Sequence, residues 1–389
     1  MRVLLLNSYA PPKGGAEEHV AQVRHLLDQA GHDVRFYAPT ERSGFRGALD
    51  RFDNPQVTTE LSTIVDEFAP DVLHVHNFFR TLSAAPFRLA DRRSIPILWT
   101  AHDFQMVCPR TWGLRSNGEP CERPKLGLCL LGSCRGSLSG LSGRATYAAN
   151  RLRTSLAARR VARAATTITA PSNELATRLQ RELDRAVTHL PYPFPTVLED
   201  PAAARDLDLL FVGRLGPEKG LDRILRALPE VPDLRLTVAG SGPMLTEWTS
   251  LARHLGVDDR VDWRGWLDGE ALRVLRARHR ALVVPSLWLE NSPLVVHDAL
   301  AEGLPVLCSR RGGLPELVEH ERNGFVFDPK NQPEIVASLR RLSQLDTETW
   351  NTFSTAARAR AKDPTGAEFT ERLVALYEQA RTTRAEVTA

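Results

Sequence analysis

Cysteine is scarce in this chain, with five in 389 residues. Four of them, Cys108, Cys121, Cys129 and Cys134, fall in one short stretch, which argues against a disulfide framework spread over the fold. Long apolar runs are missing as well. The N-terminus, MRVLLLNSYAPPKGG, has an apolar run of four residues before Asn7, too short for a signal peptide, and no segment approaches the ~20 apolar residues that span a bilayer. A cytoplasmic location is the default expectation. Neither sign of charge prevails: the formal net charge is +3, which argues against a general nucleic-acid binder. No short-period repeat is present.

What is present is length and apolar content. A chain of 389 residues that is 42% hydrophobic can bury more than one core. Short apolar runs alternate with amphipathic patterns almost throughout. Strands are predicted at RVLLLNS, DVRFYAP, DVLHVHN, PILWTAH and TTITAPS in the first half, and at LDLLFVG, LRLTVAG, RVDWRG, ALVVPS and PVLCSRR in the second. EEHVAQVRHLLDQAG carries Val20, Val23, Leu26 and Leu27 at helical spacing and ends on Gly31, a C-cap residue. Strand, helix, strand in this order implies parallel sheets covered on both faces. HLPYPFPT, residues 189 to 196, has three prolines in five positions and reads as a stiff connector. The expected architecture is α/β, two doubly wound, Rossmann-like domains facing a cleft. The first covers 1–188 with a cysteine-containing insert at 104–140, and the second covers 197–365. A C-terminal helix over 366–381 is expected to pack back on the first domain, and the tail after Arg381 reads as disordered.

Ligands of such sheets bind beyond the carboxyl ends of the strands. SLWLENSPLVVHDALAEGLPVL, residues 286 to 307, follows the strand ALVVPS. In it Ser292 suits a helix N-cap, Pro293 the first helical position and Gly303 the helix end. The free N–H groups of such a helix start favour a phosphate. Glu290, before the helix, and Asp298, inside it, would repel a diphosphate on contact but suit sugar and ribose hydroxyls; the bland alternative is two solvated charges. LFVGRLGPEKGLD, residues 210 to 222, places Arg214 and Lys219 on another strand-to-helix loop. Two fixed cations there can neutralise a departing diphosphate without a metal ion. An Arg and a Lys taken singly are more often solvated than catalytic.

Together these residues resemble the retaining glycosyltransferases of family 4, which have the two-domain GT-B fold. The family pattern of Glu, seven residues, an acidic residue, then A-x-x-x-G-x-P-V is matched by Glu290, Asp298, Ala299, Gly303, Pro305 and Val306; Asp298 stands where the family has Glu. The resemblance covers roughly residues 3 to 330. It implies that Glu290 contacts donor-sugar hydroxyls, that Asp298 contacts the ribose, and that Ser292, Leu294 and Val295 lie on the donor. Gly14 and Gly15 in SYAPPKGGAEEH match the glycine loop at the first strand-helix junction, which is not the G-x-G-x-x-G of dinucleotide-binding dehydrogenases. AGSGP and WRGW match the nucleotide-contacting loops, where Gly240, Gly242, Gly265 and Trp266 would line the base pocket. His102, after PILWTA, would face the donor sugar, although an isolated histidine is usually structural. His74, His76 and Asn77 are expected near the acceptor.

The mechanism implied is retention by a front-face route. The leaving diphosphate helps to deprotonate the acceptor hydroxyl, while Arg214, Lys219 and the helix near Ser292 stabilise the developing charge. No carboxylate pair is arranged for glycoside hydrolysis. In the insert, Cys108, Cys121, Cys129 and Cys134 are separated by 12, 7 and 4 residues. One structural zinc ion could tie them together; four reduced thiols or two disulfides are the alternatives. From Arg123 to Asn173 there is no Asp or Glu but a run of Arg and Lys, which suits anionic lipid, a phosphorylated acceptor or plain solvation. The expected partners are a nucleotide-sugar donor, a glycan or lipid-linked acceptor and an anionic membrane surface at the inner face, with no nucleic acid. The competing functions are a catalytically silent nucleotide-sugar-binding protein and a GT-B sugar-nucleotide epimerase.

Overall fold

The computed structural model describes residues 1–10, 14–40, 54–108, 121, 141–197 and 205–388. The chain divides into two compact units, Met1–Tyr192 with Gly366–Ala389, and Pro193–Thr365.

In the first unit the elements run β1 (Arg2–Leu6), α1 (Gly15–Gln29), β2 (Asp33–Tyr37), α2 (Pro55–Phe68), β3 (Val72–Val75), α3 (Ala85–Arg93), β4 (Ile97–Thr100), α4 (Leu141–Ala164), β5 (Thr167–Ala170), α5 (Asn173–Leu183) and β6 (Thr188–His189). They build a six-stranded sheet in the order β2-β1-β3-β4-β5-β6 with every pairing parallel. β3 and β4 are buried at every position, as strands covered on both faces must be. α1 turns Val20, Val23 and Leu27 into the core, and Gly31 follows its C-cap residue Ala30 with φ 77°.

The second unit runs β7 (Leu207–Val212), α6 (Leu221–Ala227), β8 (Leu236–Ala239), α7 (Leu245–His254), β9 (Val261–Gly265), α8 (Gly269–Arg278), β10 (His279–Val284), α9 (Leu294–Ala301), β11 (Val306–Ser309), α10 (Leu314–Leu317), β12 (Gly324–Phe327), α11 (Gln332–Ser343) and α12 (Thr347–Arg360). Its sheet, also all parallel, has the order β12-β11-β10-β7-β8-β9. Side-chain alternation along β7 separates two cores. Leu209 and Phe211 join Trp248 and Ile335 on one face, while Leu210 joins Val296 and Leu300 on the other. Each such leucine taken fully out of water contributes about 2 kcal/mol.

The last helix, α13 (Gly366–Thr388), belongs to the first unit, where Phe369, Leu373 and Tyr377 pack with Val3, Val23, Leu27 and Val72. The expectation of disorder after Arg381 is corrected: the helix continues to Thr388. Arg384 is its outer anchor, donating to the carbonyls of Ala90 and Asp91. Two strands, β6 and β12, go beyond those the sequence predicts. β6 is two residues long, and GFVF of β12 lacks any flanking pattern that sets it apart from a loop. No helix among the described residues is long and apolar enough to cross a membrane.

Candidate functional site

In each sheet the first strand has its successors on opposite sides, which opens a crevice at its carboxyl end. In the second unit that point lies between β7 and β10. The loop after β7 carries Arg214 and Lys219, and the loop after β10 carries Glu290. Lys219 Nζ donates to Glu290 Oε1 at 2.8 Å and lies 4.9 Å from the centre of the Trp288 ring. Ser286 Oγ donates to the same carboxylate oxygen at 2.5 Å. Glu290 is only 5% exposed, so it is no solvated charge. Burial alone would raise its carboxyl, but the Lys219 ammonium and the hydrogen bonds from Lys219 and Ser286 outweigh burial and hold it below the ordinary range.

Backbone contacts lock these loops together. The Glu218 carbonyl accepts from Leu287 N at 2.8 Å, and the Glu290 carbonyl accepts from Gly313 N at 2.8 Å. Gly312 has φ 60°, and a Cβ there would lie 1.8 Å from the Glu290 carbonyl oxygen, so only glycine fits. Arg214 bonds the carboxylate of Glu218, which is buried, while its own side chain is 59% exposed. Gly240, with φ 151°, leaves room for the Gly213 carbonyl, which a Cβ would approach to 1.9 Å. Gly240 N in turn donates to the Gly265 carbonyl at 2.6 Å. Gly242 packs against Leu215, so the Gly240–Gly242 turn backs the Arg214 loop. Trp266, beyond Gly265, is 76% exposed.

The helix start differs from expectation. α9 begins at Leu294 with Pro293 as its N-cap residue, and no side chain caps it. Ser292 is not the cap, because its Oγ is bonded to His297 Nε2 at 2.8 Å, one turn into the helix. The N–H groups of Leu294 and Val295 therefore head the helix beside Glu290, at its positive dipole end. Gly303 does follow the helix, with φ 68° after the C-cap residue Glu302. Asp298 is half-buried and lies 3.4 Å from Arg276 on α8.

In the first unit the corresponding point lies between β1 and β3. Asn7 Nδ2 donates to Glu17 Oε1 at 3.3 Å, and Asn77 N donates to Asn7 Oδ1 at 3.0 Å. Gly14 precedes α1 in extended conformation and Gly15 opens it; both are exposed. His102 lies beneath this surface. Its Nε2 is 2.8 Å from His76 Nδ1, and its Nδ1 is bonded to the Tyr192 hydroxyl. Burial pushes His102 down to about 3, so the ring is neutral. His74 is occupied within the fold, through Tyr377 at 2.6 Å and Thr100 at 2.8 Å. Asp103, beside His102, is raised above the ordinary range, chiefly by burial. His102, Gly14 and Gly15 thus belong to the first unit, and the candidates Arg214, Lys219, Gly240, Gly242, Gly265, Trp266, Glu290, Ser292, Leu294, Val295 and Asp298 belong to the second.

Cys108 and Cys121 form no disulfide with Cys308 or with each other, and Cys129 and Cys134 lie outside the described residues. Among the described residues no cluster of three or more His, Cys, Asp or Glu is arranged to hold a metal ion. Trp288, Ser286, Glu218 and Arg276 in the second unit, and Glu17 beside Asn7 in the first, join the candidates without having been singled out by the sequence. Trp288 carries a signal, since it sits between the strand and Glu290. Arg276 carries none, since only the packing of α8 brings it to Asp298.

Comparison with known proteins bears on this geometry. The family model of Glycosyltransferase Family 4 matches residues 13–193, and that of Glycosyl transferases group 1 matches residues 199–360. The chain belongs to these glycosyltransferases, and its fold is GT-B. It is 36% identical over 137 residues to a glycosyltransferase of Methanocaldococcus jannaschii named as uncharacterized, covering 34% of this chain and 35% of that protein. It is 33% identical over 138 residues to the GDP-mannose-dependent alpha-(1-6)-phosphatidylinositol monomannoside mannosyltransferase of Mycolicibacterium smegmatis, covering 33% of this chain and 36% of that protein. The chain thus spans roughly a third of the length of the curated relatives it matches. The crystal structure of Anabaena HepE in complex with UDP superposes with a TM-score of 0.71 at 18% identity, over 97% of this chain and 100% of that one.

Proposed function

We propose that the chain is a retaining glycosyltransferase that moves a hexose-type sugar from a nucleotide-diphosphate donor to an acceptor hydroxyl. The observation that carries the reading is the Lys219–Glu290 pair at the β7/β10 switch point, 2.8 Å apart and next to the start of α9. A cation, a buried ionised carboxylate and a helix N-terminus together match a pyrophosphate joined to a sugar. In this reading Arg214, Lys219 and the N–H groups of Leu294 and Val295 take the diphosphate. Glu290 accepts from hydroxyls of the donor sugar, and Asp298 accepts from the ribose. Gly240, Gly242, Gly265 and Trp266 border the base. The family resemblance alone assigns His102 to the donor sugar; burial keeps its ring uncharged.

The bond from the anomeric carbon to the phosphate oxygen breaks, and the bond to the acceptor oxygen forms on the same face. The acceptor's proton passes to the departing phosphate oxygen. The fixed cations then stabilise the leaving group more strongly as its charge grows, which lowers the barrier. Incubation with UDP-, GDP-, ADP- and dTDP-sugars, followed by the anomeric proton signals of the product, tests this. Release of nucleotide diphosphate with the donor's configuration kept supports the reading, and absence of turnover and of binding with all four defeats it.

A lipid-linked or cell-surface glycan precursor is the proposed acceptor. The mycobacterial relative is named for a phosphatidylinositol monomannoside, and the exposed face of α4 in this chain is basic and apolar. Peripheral association with an anionic membrane belongs to the same reading. A structural zinc on Cys108, Cys121, Cys129 and Cys134 rests on their spacing. Elemental analysis of the purified protein tests it, with one zinc per chain expected.

A further inference from the structure

Asp298 on α9 and Glu302, the C-cap residue of that helix, stand four residues apart, and Arg276 from α8 lies against both. Arg276 is 6% exposed. Its Nε donates to Glu302 Oε2 at 2.9 Å, Nη2 donates to Glu302 Oε1 at 2.6 Å, and Nη1 is 3.4 Å from Asp298 Oδ2. The fork of the guanidinium is thus used up on Glu302, and the remaining corner is turned to Asp298.

The arrangement runs against three ordinary preferences. A carboxylate at the C-terminal end of a helix opposes the dipole, like charges at i and i+4 repel, and burying an ion pair costs desolvation that apolar packing would avoid. Apolar residues at 276 and 302 would serve the core at least as well. They would not hold Asp298. Its side chain is 40% exposed while that of Glu302 is 10% exposed, so Asp298 is the most exposed member of the trio. Aspartate has one fewer side-chain torsion than glutamate, so pinning one oxygen largely fixes the direction of the other.

We infer that Arg276 is a positioning residue for the donor's ribose: its Nη1, 3.4 Å from Asp298 Oδ2, holds the Asp298 carboxylate aimed so that it accepts from the ribose hydroxyls. This rests on the reading of Asp298 as the ribose contact. The arrangement also accounts for an aspartate in place of the family's glutamate, since the arginine supplies the fixing that the shorter side chain needs. Arg276 itself does not touch the nucleotide.

The test is calorimetric titration of the full chain with UDP, GDP and ADP, and with the 2′,3′-dideoxy counterpart of whichever binds the wild type. Arg276→Gln is expected to weaken the ribonucleotide about tenfold, the worth of one charge-assisted hydrogen bond, and the dideoxynucleotide less than about twofold. Arg276→Lys restores part of the loss. Arg276→Gln strands Glu302 without its counter-ion, so Arg276→Gln/Glu302→Gln is measured in parallel and is expected to show the same discrimination. Asp298→Asn leaves the Arg276–Glu302 pair whole and is expected to lose the preference for ribose as well. Equal weakening of both nucleotides by the Arg276 variants, or no weakening of either, overturns the inference while the diphosphate site stands. Failure of the wild type to bind any of the three diphosphates overturns the donor-site reading and the inference with it.

Discussion

Lys219 Nζ is shared between the Glu290 carboxylate, 2.8 Å away, and the face of Trp288, 4.9 Å from its ring centre. Both partners come from the loop after β10, while Lys219 comes from the loop after β7, so this one ammonium ties the two sides of the switch point together. Each charge is the other's counter-ion. Lys219→Met should therefore destabilise the protein by about 3 kcal/mol by leaving a buried carboxylate unpaired. Lys219→Met/Glu290→Gln should recover most of that loss. Denaturant unfolding of the wild type, both single variants and the double variant closes the cycle, and a coupling energy near zero contradicts the pairing. Turnover should fall about a hundredfold in Lys219→Met and stay low in the double variant, since stability returns without the cation.

Gly312 makes a sharper test of geometry. Its φ is 60°, and a methyl group added to it would come within 1.8 Å of the Glu290 carbonyl oxygen, so Gly312→Ala must displace the backbone bearing Glu290. The expected cost is about 1–3 kcal/mol in stability. Activity should fall by more than the loss of folded protein explains, because the carboxylate moves with its backbone. Measured kcat per folded molecule, unchanged from wild type, would show that this contact does not set the position of Glu290.

Much of the fold is legible in the sequence because parallel sheets write themselves as short, fully apolar runs separated by amphipathic stretches. β3 and β4 are read from VLHV and ILWT alone. β6, two residues long, carries no such signal, and the end of α13 is held by Arg384 reaching Ala90 and Asp91, nearly 300 positions back in the chain. The site divides in the same way. Position after a strand singles out Glu290, Lys219 and His102. Which charges pair is tertiary information: Lys219 and Glu290 are 71 positions apart. The helix start is misread from sequence because Ser292 has two partners within reach, the helix N–H groups and His297, and it takes the histidine.

Buried histidines give the first unit a pH dependence of definite sign. Burial pushes His74 and His102 down to about 3 and His76 well below its ordinary value, while in the unfolded chain each titrates near ~6.5. Between those values the unfolded state takes up protons that the folded state refuses. Stability from these groups is complete above about pH 6.5 and is lost as pH falls below it, by about 1.4 kcal/mol per pH unit for each histidine. Asp103, raised by burial, works in the opposite direction and offsets part of the loss. Unfolding free energy measured from pH 8 to pH 4 (about the range in which histidine titrates) should be flat and then fall. In His74→Asn the slope should lessen by one proton, and an unchanged slope would remove His74 from the account.

The exposed face of α4 supports the proposed membrane association and yields its own test. Leu152 and Leu156 are 61% and 48% exposed, and Arg159, Arg160 and Arg163 are exposed as well. Steps of 4, 3, 1 and 3 residues keep all five on one stripe of the helix, with the leucines at one end and the arginines at the other. No Asp or Glu occurs between Arg123 and Asn173 to oppose them. Such a face suits anionic head groups, with the leucines entering the acyl boundary. Each arginine near a charged surface contributes about 1 kcal/mol, so Arg159→Gln/Arg160→Gln/Arg163→Gln should weaken sedimentation with phosphatidylglycerol vesicles by about a hundredfold. Added salt should produce a similar loss in the wild type by screening. Leu152→Ser/Leu156→Ser should weaken binding at every salt concentration, because burial of apolar surface is not screened. Equal binding to neutral phosphatidylcholine vesicles would remove the arginines from the account, and indifference to both sets of substitutions would show that the stripe is simply a solvated surface.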